Sequence, residues 1–241
     1  MNLIRNFLPL FFKELNNSSV EYLILRGYEK LPNDFENDID FFVNKNSLRS
    51  FYETFFKFSK DCKFIINKDV VRQGLIKIQL DFADNSILKI DLFFEFRYAG
   101  LLYINEKKMY NNRISYNDIT IANYEYEFYT SILKELLHNS RIRKDKIEKL
   151  KILFAKISDN NLLYDSIIKK TNIELINKLL FSYNYIDLDL ARSLRKYIFI
   201  YNFNKFGILE CSLNIFTFFY IKYFQQNIYD NLIFTRKTYN E

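Results

Sequence analysis

The 241-residue sequence is poor in the residues that build disulfide frameworks and histidine- or thiolate-based metal sites. Its two cysteines, Cys62 and Cys211, are far apart and belong to no CxxC pair. A disulfide framework and a zinc site are therefore not expected, and a reducing cytoplasm is the predicted location. The single histidine, His138, comes near the end of a predicted helix, where we expect it to cap the helix instead of serving a catalytic triad.

Long apolar runs are also absent. The N-terminal run is interrupted by Lys13 and Glu14 and is followed by no small-residue cleavage site, so a signal peptide is not expected. The aromatic run at residues 213–224 is too short to span a bilayer and contains Lys222. We therefore expect a soluble protein without a membrane span.

The composition is apolar and basic. A hydrophobic content of 49%, with 26 Phe and 19 Tyr, predicts a substantial core. The scarcity of glycine and proline (4 and 2) is attributed to the codon bias of an AT-rich genome. A net charge of +6 permits a polyanionic partner such as nucleic acid or nucleotide, and an ordinary lysine-rich protein has the same balance.

The spacing of apolar residues predicts an α+β protein in two parts. The elements predicted for the first part are a helix (3–16), a strand ending at Gly27, a strand (38–43), a helix starting at Asn46 or Ser47, and strands at 63–71, 74–83 and 86–96 with a turn at Asp84-Asn85. From Asn123 onward the pattern is helical, including segments at 123–139, 143–157 and 172–183. We predict a sheet domain over residues 1–118 and an all-α domain over residues 119–241.

Three aspartates occupy unusual strand positions. Side chains alternate faces along a strand, so Asp38 and Asp40 of DIDFFV share one face. Asp91 of LKIDLF lies opposite the apolar face of its own strand, on a face that we expect to lie outside the core. If the two strands are neighbours, three carboxylates converge, and a cation would relieve their repulsion. Oxygen ligands suit Mg²⁺ or Mn²⁺, which support phosphoryl transfer, whereas a solvated sheet face is the alternative.

The order of these segments resembles the nucleotidyltransferase superfamily that includes DNA polymerase β and the aminoglycoside nucleotidyltransferases. Members have a hydrophobic strand ending in Gly-Gly or Gly-Ser, a connector, an acid–hydrophobic–acid strand, and a third acid on a later strand; here these are LILRGY, NDIDFF and LKIDLF. The resemblance implies a mixed sheet, with Asp38 and Asp40 binding two metal ions. It also implies that Asp91 binds one ion and helps to deprotonate the incoming hydroxyl, and that Arg26 and Gly27 hold phosphate.

The resemblance covers about residues 1–100, and one position departs from it. The second small residue of the phosphate-binding turn is Tyr28 in this sequence. The order Arg-Gly, Pro, Asp-Ile-Asp over residues 26–40 is also compatible with a LicD-like branch of phosphocholine-type transferases. The tryptophan and triple acid typical of that branch are missing, so it is the second choice.

The activity that the resemblance implies is magnesium- or manganese-dependent transfer of a nucleotidyl or related phosphoryl group. The donor would be a nucleoside triphosphate or another nucleotide, and the acceptor a hydroxyl or phosphate bound in a cleft between the two domains. A small molecule or a precursor of a bacterial surface polysaccharide is favoured as acceptor, with RNA and protein as alternatives. Three other functions stay open: a catalytically inactive scaffold or binding protein, a LicD-like transferase, and a toxin that modifies RNA or protein.

The other conspicuous residues have structural interpretations. Asp81 and Glu95 are expected to be solvated strand residues. The basic run at residues 138–151 is interpreted as a solvated helix start, with a phosphate-binding patch facing the cleft as the alternative. The aromatic side chains between residues 183 and 220 are assigned to the core, although bases could stack on them.

Overall fold

The computed structural model describes residues 3–35, 38–72, 74–158, 176, 178–181 and 188–224, and within these ranges all side chains except those of 67–72 and 221–224. The elements are α1 (Leu3–Asn17), β1 (Tyr22–Arg26), β2 (Asp38–Val43), α2 (Leu48–Ser59), β3 (Phe64–Arg72), β4 (Leu75–Phe82), β5 (Ile87–Phe93), β6 (Arg97–Tyr98), β7 (Leu101–Leu102), α3 (Glu106–Asn111), β8 (Ile114–Tyr116), β9 (Ile119–Ile121), α4 (Tyr124–Lys134), α5 (Lys144–Ser158) and α6 (Leu188–Phe224). A 3₁₀ turn (Lys45–Ser47) precedes α2, and a π-helical turn (Glu135–Asn139) follows α4. Most of the helix predicted at 172–183, with Tyr183 and Tyr185, lies outside the described residues.

Within the described part of the chain, seven strands form one mixed sheet in the order β3-β4-β5-β2-β1-β9-β8. β2 runs parallel to β5 and β1 parallel to β9, whereas the other neighbours are antiparallel. The predicted α+β class is confirmed, because helices flank this mixed sheet and the described elements after Asn123 are helical. The two strands that carry the aspartates, β2 and β5, are direct neighbours.

Helices α1 and α2 cover one face of the sheet with an aromatic core. The apolar positions of α1 recur every three or four residues, so they form one stripe, and that stripe is buried. Phe11 lies at its centre: its ring stacks on Phe55 of α2 at 4.5 Å between centroids and meets Phe41 of β2 edge-on at 6.1 Å. The helix predicted at residues 3–16 and the helix predicted to start near Ser47 are both present.

The opposite face, which carries the aspartates, is also covered. The expectation that this face lies outside the core is wrong, because Leu23, Leu25 and Phe42 belong to one buried cluster with residues of α4, α5 and α6. Helix α4 contacts β1, and α5 packs against α4. As a result, Asp40 and Asp91 are only 5% and 8% exposed. Charged groups at this depth need partners, because their burial is unfavourable without them.

The buried cluster on the aspartate face joins the two predicted domains. It includes side chains from β1 and β2 and from α4, α5 and α6. Strand β9, which begins one residue after the predicted boundary at 118, pairs with β1 inside the sheet. The division at residue 118 stays a prediction, and the site described below lies where the two parts meet.

The C-terminal aromatic residues behave differently on the two sides of Gly207, where α6 is interrupted by a backbone φ of 82°. Three aromatic side chains between residues 197 and 203 pack partly buried against the cluster, as predicted. The core assignment is wrong for Phe216, Phe219 and Tyr220, which are exposed. No helix in the described ranges is long and apolar enough to cross a membrane.

Truncation of the aromatic core should be costly. We expect Phe11→Ala to lower the free energy of unfolding by about 3–5 kcal/mol, because it removes a fully buried ring and leaves a cavity. Urea denaturation followed by circular dichroism measures this change. Leu10→Ala is the control on the same helix, where the side chain is 47% exposed, and it should cost less than about 1 kcal/mol. Equal losses for the two variants would contradict the assignment of this core.

Candidate functional site

Four charged side chains form a row across four neighbouring strands, and we call them the charged row. The strand register sets Arg26 of β1 opposite Asp40 of β2, Asp40 opposite Asp91 of β5, and Asp91 opposite Lys77 of β4. Neighbouring strands lie about 4.7–4.9 Å apart, and side chains at paired positions point to the same face. The carboxylates of Asp40 and Asp91 are therefore neighbours on one face of the sheet.

The two ends of the charged row are cations and its two central members are acids. Arg26 Nε donates a hydrogen bond to Asp40 Oδ2. Lys77 Nζ lies 3.0 Å from Asp91 Oδ1 and 3.2 Å from Asp91 Oδ2. These pairs offset the repulsion between two like charges that face each other across neighbouring strands.

One oxygen of the charged row lacks a partner. Asp40 Oδ1 is buried and accepts no hydrogen bond from any described residue. An unsatisfied buried acceptor costs roughly 1–3 kcal/mol, and more when the group is charged. A water molecule, a ligand donor or a cation would satisfy an acceptor of this kind.

Asp38 and Lys134 extend the cluster beyond the charged row. Asp38 is exposed at the start of β2, two residues before Asp40 and on the same face. Burial would lower the pKa of Arg26, but the charges of Asp40, Asp38 and Asp91 raise it above its ordinary value. The pKa of Lys134 is lowered by burial and by Arg26, against the opposing effect of the aspartates. The charges of all three predicted acids thus act on one guanidinium group.

Any divalent ion at this cluster would bind next to two cations of the chain, Arg26 and Lys77. Over the described ranges, no group of three or more His, Cys, Asp or Glu side chains is arranged to hold a metal ion. In this structure Arg26 and Lys77 engage Asp40 and Asp91. The donor chemistry nevertheless fits Mg²⁺ or Mn²⁺, because it consists of carboxylate oxygens and includes the unpartnered, buried Oδ1 of Asp40. Asp38, Asp40 and Asp91 are therefore candidate ligands by their chemistry, but the described side chains are not arranged around a common ion.

A cavity of about 190 Å³ lies beside the charged row, between the sheet and the helices after residue 123. Its lining residues are Arg26, Gly27, Asp38 and Asp40 from β1, β2 and their connection, Ser131 and Glu135 from α4 and the π-helical turn, and Lys146, Lys149, Leu150 and Leu153 from α5. The cleft was expected between these two parts of the chain. Four of the five predicted site residues line it, and the fifth, Asp91, is adjacent through its pairing with Asp40.

Gly27 is required by the backbone at the edge of the cavity. Its φ of 72° is a conformation that residues with a side chain rarely adopt. A Cβ atom at this position would meet nothing within 4 Å, so space is not the constraint. The backbone next to Gly27 is therefore open to the cavity and accessible to a ligand.

Tyr28, which replaces the small residue of the family pattern, is a core residue. It is buried, it is not among the cavity-lining residues, and its ring meets that of Tyr116 edge-on at 5.1 Å. Its hydroxyl donates a 3.0 Å hydrogen bond to Glu127 Oε2 of α4. Burial and the neighbouring carboxylate of Glu127 raise the pKa of Tyr28. The large side chain therefore joins the sheet to α4 and does not narrow the cavity.

Two buried acids on the helix side were missed in the sequence. Glu127 is 1% exposed, and its Oε1 lies 2.9 Å from Lys149 Nζ, an ion pair whose geometry does not make a hydrogen bond. Glu135 is 3% exposed, and both of its oxygens accept hydrogen bonds from Arg143 Nε at 3.1 Å. With Ser131 between them, these positions are spaced by four residues and therefore share one face of the helix. The four-residue spacing is the feature of the sequence from which a shared helix face could have been predicted.

The residues of the basic run have two different roles: some form structural ion pairs, and others line the cavity. Arg143 is committed to Glu135, whereas Lys146 and Lys149 line the cavity opposite the strands. Neither the solvated-face interpretation nor the phosphate-patch interpretation describes the whole run. Lys149 also pairs with Glu127, so its position at the cavity is fixed by a buried acid.

Three other predictions concern residues outside the cavity. The cap expected from His138 is supplied by Arg195, whose guanidinium donates to the carbonyl oxygen of Leu137 at 2.6 Å; the His138 ring instead packs against Tyr98. Asp81 and Glu95, expected to be solvated, are both partly buried and paired. Asp81 accepts a hydrogen bond from Gln79 at 2.8 Å, and Glu95 forms an ion pair with Arg97 at 2.8 Å.

Comparison with known proteins adds little to this geometry. No protein-family model and no curated protein matches the chain. Among solved structures, that of a putative nucleotidyltransferase from H. pylori aligns over 90% of this chain and 95% of that chain, with 13% identity and a TM-score of 0.33. At this TM-score, neither the activity nor the substrate of that protein transfers to this chain.

The hydrogen bond between Tyr28 and Glu127 should contribute measurably to stability. Tyr28→Phe leaves a buried carboxylate with one partner fewer, so we expect the free energy of unfolding to fall by about 1–3 kcal/mol. Chemical denaturation measures the loss. Tyr116→Phe is the matched control in the same ring pair, and it should change stability by less than about 0.5 kcal/mol. An equal response of the two variants would show that the Tyr28 hydroxyl does not anchor α4.

Proposed function

We propose that the protein is a metal-dependent nucleotidyltransferase whose reacting groups meet at the charged row. The observation that carries this proposal is the pair Asp40–Asp91, which face each other in register with Asp40 Oδ1 buried and unpartnered beside the cavity. Two carboxylates this close favour a bound cation, since one of them would otherwise tend to take up a proton. Magnesium or manganese is the cation that suits oxygen ligands.

The three aspartates would bind the metal ion, and one of them would also accept a proton. Asp40 and Asp38 line the cavity and would hold an ion against the donor phosphates, with Asp91 as the third ligand. A bound divalent ion would neutralise phosphate charge in the transition state of the displacement. The carboxylate of Asp91 would accept the proton of the incoming hydroxyl.

The cavity supplies groups that suit a nucleotide's phosphates. Arg26 and the open backbone at Gly27 lie on the strand side. Lys146 and Lys149 lie on the opposite wall, so that anionic oxygens between the walls would meet cations from both directions. Leu150 and Leu153 line the same wall and would limit the entry of water.

The donor is proposed to be a nucleoside triphosphate or another nucleotide. As acceptor we favour a hydroxyl or phosphate of a small molecule or of a bacterial surface-polysaccharide precursor. RNA, protein and a phosphocholine-type reaction are the alternatives. They differ in the transferred group or in the molecule that receives it, so a labelled donor offered to each class of acceptor separates them.

A catalytically inactive binding protein is the second candidate, and one observation favours it. Arg26 and Lys77 already neutralise Asp40 and Asp91 one to one, so the charged row is balanced without an ion. In that case the cavity would bind an anionic ligand through its cations alone. Ligand binding would then be independent of divalent metal.

Removal of either central acid should abolish metal-dependent function. For Asp40→Asn and Asp91→Asn, we expect metal-dependent nucleotide binding to be lost in calorimetric titrations, and transfer from a labelled triphosphate to fall by about 100-fold or more. Asp81→Asn, which makes the same charge change on β4 outside the charged row, should leave both unchanged. Thermal unfolding checks that each variant is folded.

The same titrations distinguish the two candidates. Nucleotide binding by the unaltered protein that is equal with Mg²⁺ and with a chelator would support the binding protein. Binding and transfer that survive in Asp40→Asn would contradict the proposed enzyme.

A further inference from the structure

We infer that Glu106 is a pH-sensitive latch: it holds the β6–β7 hairpin to α3 while it carries a proton, and it loosens that contact when it ionises. The inference is independent of the proposed function, because Glu106 is neither a lining residue of the cavity nor a member of the charged row. It is the first residue of α3, which begins shortly after the hairpin ends. Its position therefore allows it to act on both strands of the hairpin.

The side chain of Glu106 reaches back to the base of the hairpin. Its Oε1 accepts a hydrogen bond at 3.3 Å from the backbone N–H of Phe96, the residue before β6. The carbonyl oxygen of the same Phe96 accepts a hydrogen bond at 3.0 Å from the backbone N–H of Tyr103, the residue after β7. Glu106 is thus bonded to the point at which the chain enters and leaves the hairpin.

The carboxyl group of Glu106 has an acid beside it and no cation of its own. Arg97 donates Nε and Nη2 to the two oxygens of Glu95, at 2.8 and 3.1 Å, and Nη1 to the carbonyl oxygen of Gly100 at 2.6 Å. No ion pair forms at Glu106 within the described part of the chain. A half-buried carboxylate in this position is unfavourable, because it loses water and gains no opposite charge in return.

The charges around Glu106 leave the balance with its neutral form. They belong to Glu95 and Arg97, on either side of Phe96, and to Lys205 of α6. Burial, and after it the charge of Glu95, raise the pKa of Glu106 to about 7, although the Phe96 N–H, Arg97 and Lys205 act in the opposite direction. Glu106 therefore gains or loses its proton near neutral pH.

The hairpin in turn holds α6. The backbone N–H of Leu102 donates to the side chain of Asn202 at 3.1 Å, and that side chain donates to the Leu102 carbonyl oxygen at 2.8 Å. Asn202 is 2% exposed. Gly100 packs so closely on α6 that a Cβ atom there would lie 2.4 Å from the carbonyl oxygen of Asn214. A change at the base of the hairpin is therefore expected to reach α6.

The direction of the pH dependence follows from the raised pKa. In the unfolded chain Glu106 ionises in the ordinary glutamate range, whereas in the folded protein it keeps its proton up to about pH 7. The stability that the protonated latch contributes is complete below the ordinary range and is lost as the pH rises through about 7. The fold should be held less firmly at alkaline pH than at mildly acidic pH.

Urea denaturation of the full-length protein between about pH 5.5 and about pH 8.5 tests the latch. Glu106→Gln keeps the acceptor oxygen and cannot ionise, so the unfolding constant of the unaltered protein, divided by that of the variant, should rise about tenfold over this range. Glu148→Gln is the control, because it makes the same change at a side chain on α5 that is 81% exposed. For that variant the same ratio should not change with pH.

Hydrogen exchange shows whether the effect reaches α6. Protection of the backbone amides around Leu102 and Asn202 should fall above about pH 7 in the unaltered protein, after correction for the intrinsic rates, and should persist in Glu106→Gln. Protection that is insensitive to pH in the unaltered protein overturns the latch, as does a ratio of unfolding constants that is the same at every pH. If Glu106→Gln fails to fold, a carbon-13 NMR titration of the unaltered protein decides: a Glu106 carboxyl pKa in the ordinary glutamate range overturns the inference.

Discussion

Two carboxylates, those of Asp40 and Asp91, stand opposite each other on neighbouring strands of a sheet face that is covered by helices, and the site is arranged around them. Like charges in register repel, and burial makes that repulsion stronger than it would be in water. The chain meets this constraint with a cation at each end, Arg26 and Lys77. Within the described part of the chain, Oδ1 of Asp40 has no hydrogen-bond partner, and the residue itself lines a cavity that also has cations on its far wall. Each of the two acids is therefore neutralised by a cation of the chain itself.

The sequence was sufficient to predict the secondary structure wherever a local repeat of apolar residues determines it. The three-to-four repeat of α1 and the alternation of β2 are short-range patterns, so the elements and the shared face of Asp38 and Asp40 could be predicted from them. The adjacency of β2 and β5 is a non-local property, so in the sequence it could be stated only as the condition under which the three carboxylates converge. The core assignment of residues such as Phe216 failed because periodicity reports a helix face without reporting what lies against it.

The partners of the acids could not be predicted for the same reason. Lys77 meets Asp91 only through the exact pairing of β4 with β5, and Arg26 meets Asp40 only after an irregularity in the pairing of β1 with β2. A shift of one residue would turn either cation to the other face. The role of Tyr28 was hidden as well, since its hydrogen bond reaches Glu127, 99 residues away in the chain. What looked like a defect in a phosphate-binding turn is an anchor between sheet and helix.

The central proposal is that a divalent ion binds at Asp40 and Asp91. Diffraction from crystals grown with Mn²⁺ tests this proposal most directly. The anomalous signal of manganese locates the ion independently of the protein atoms. The account predicts a peak within coordinating distance of Asp40 and of Asp91. At saturating Mn²⁺, the absence of a peak at this position would contradict it.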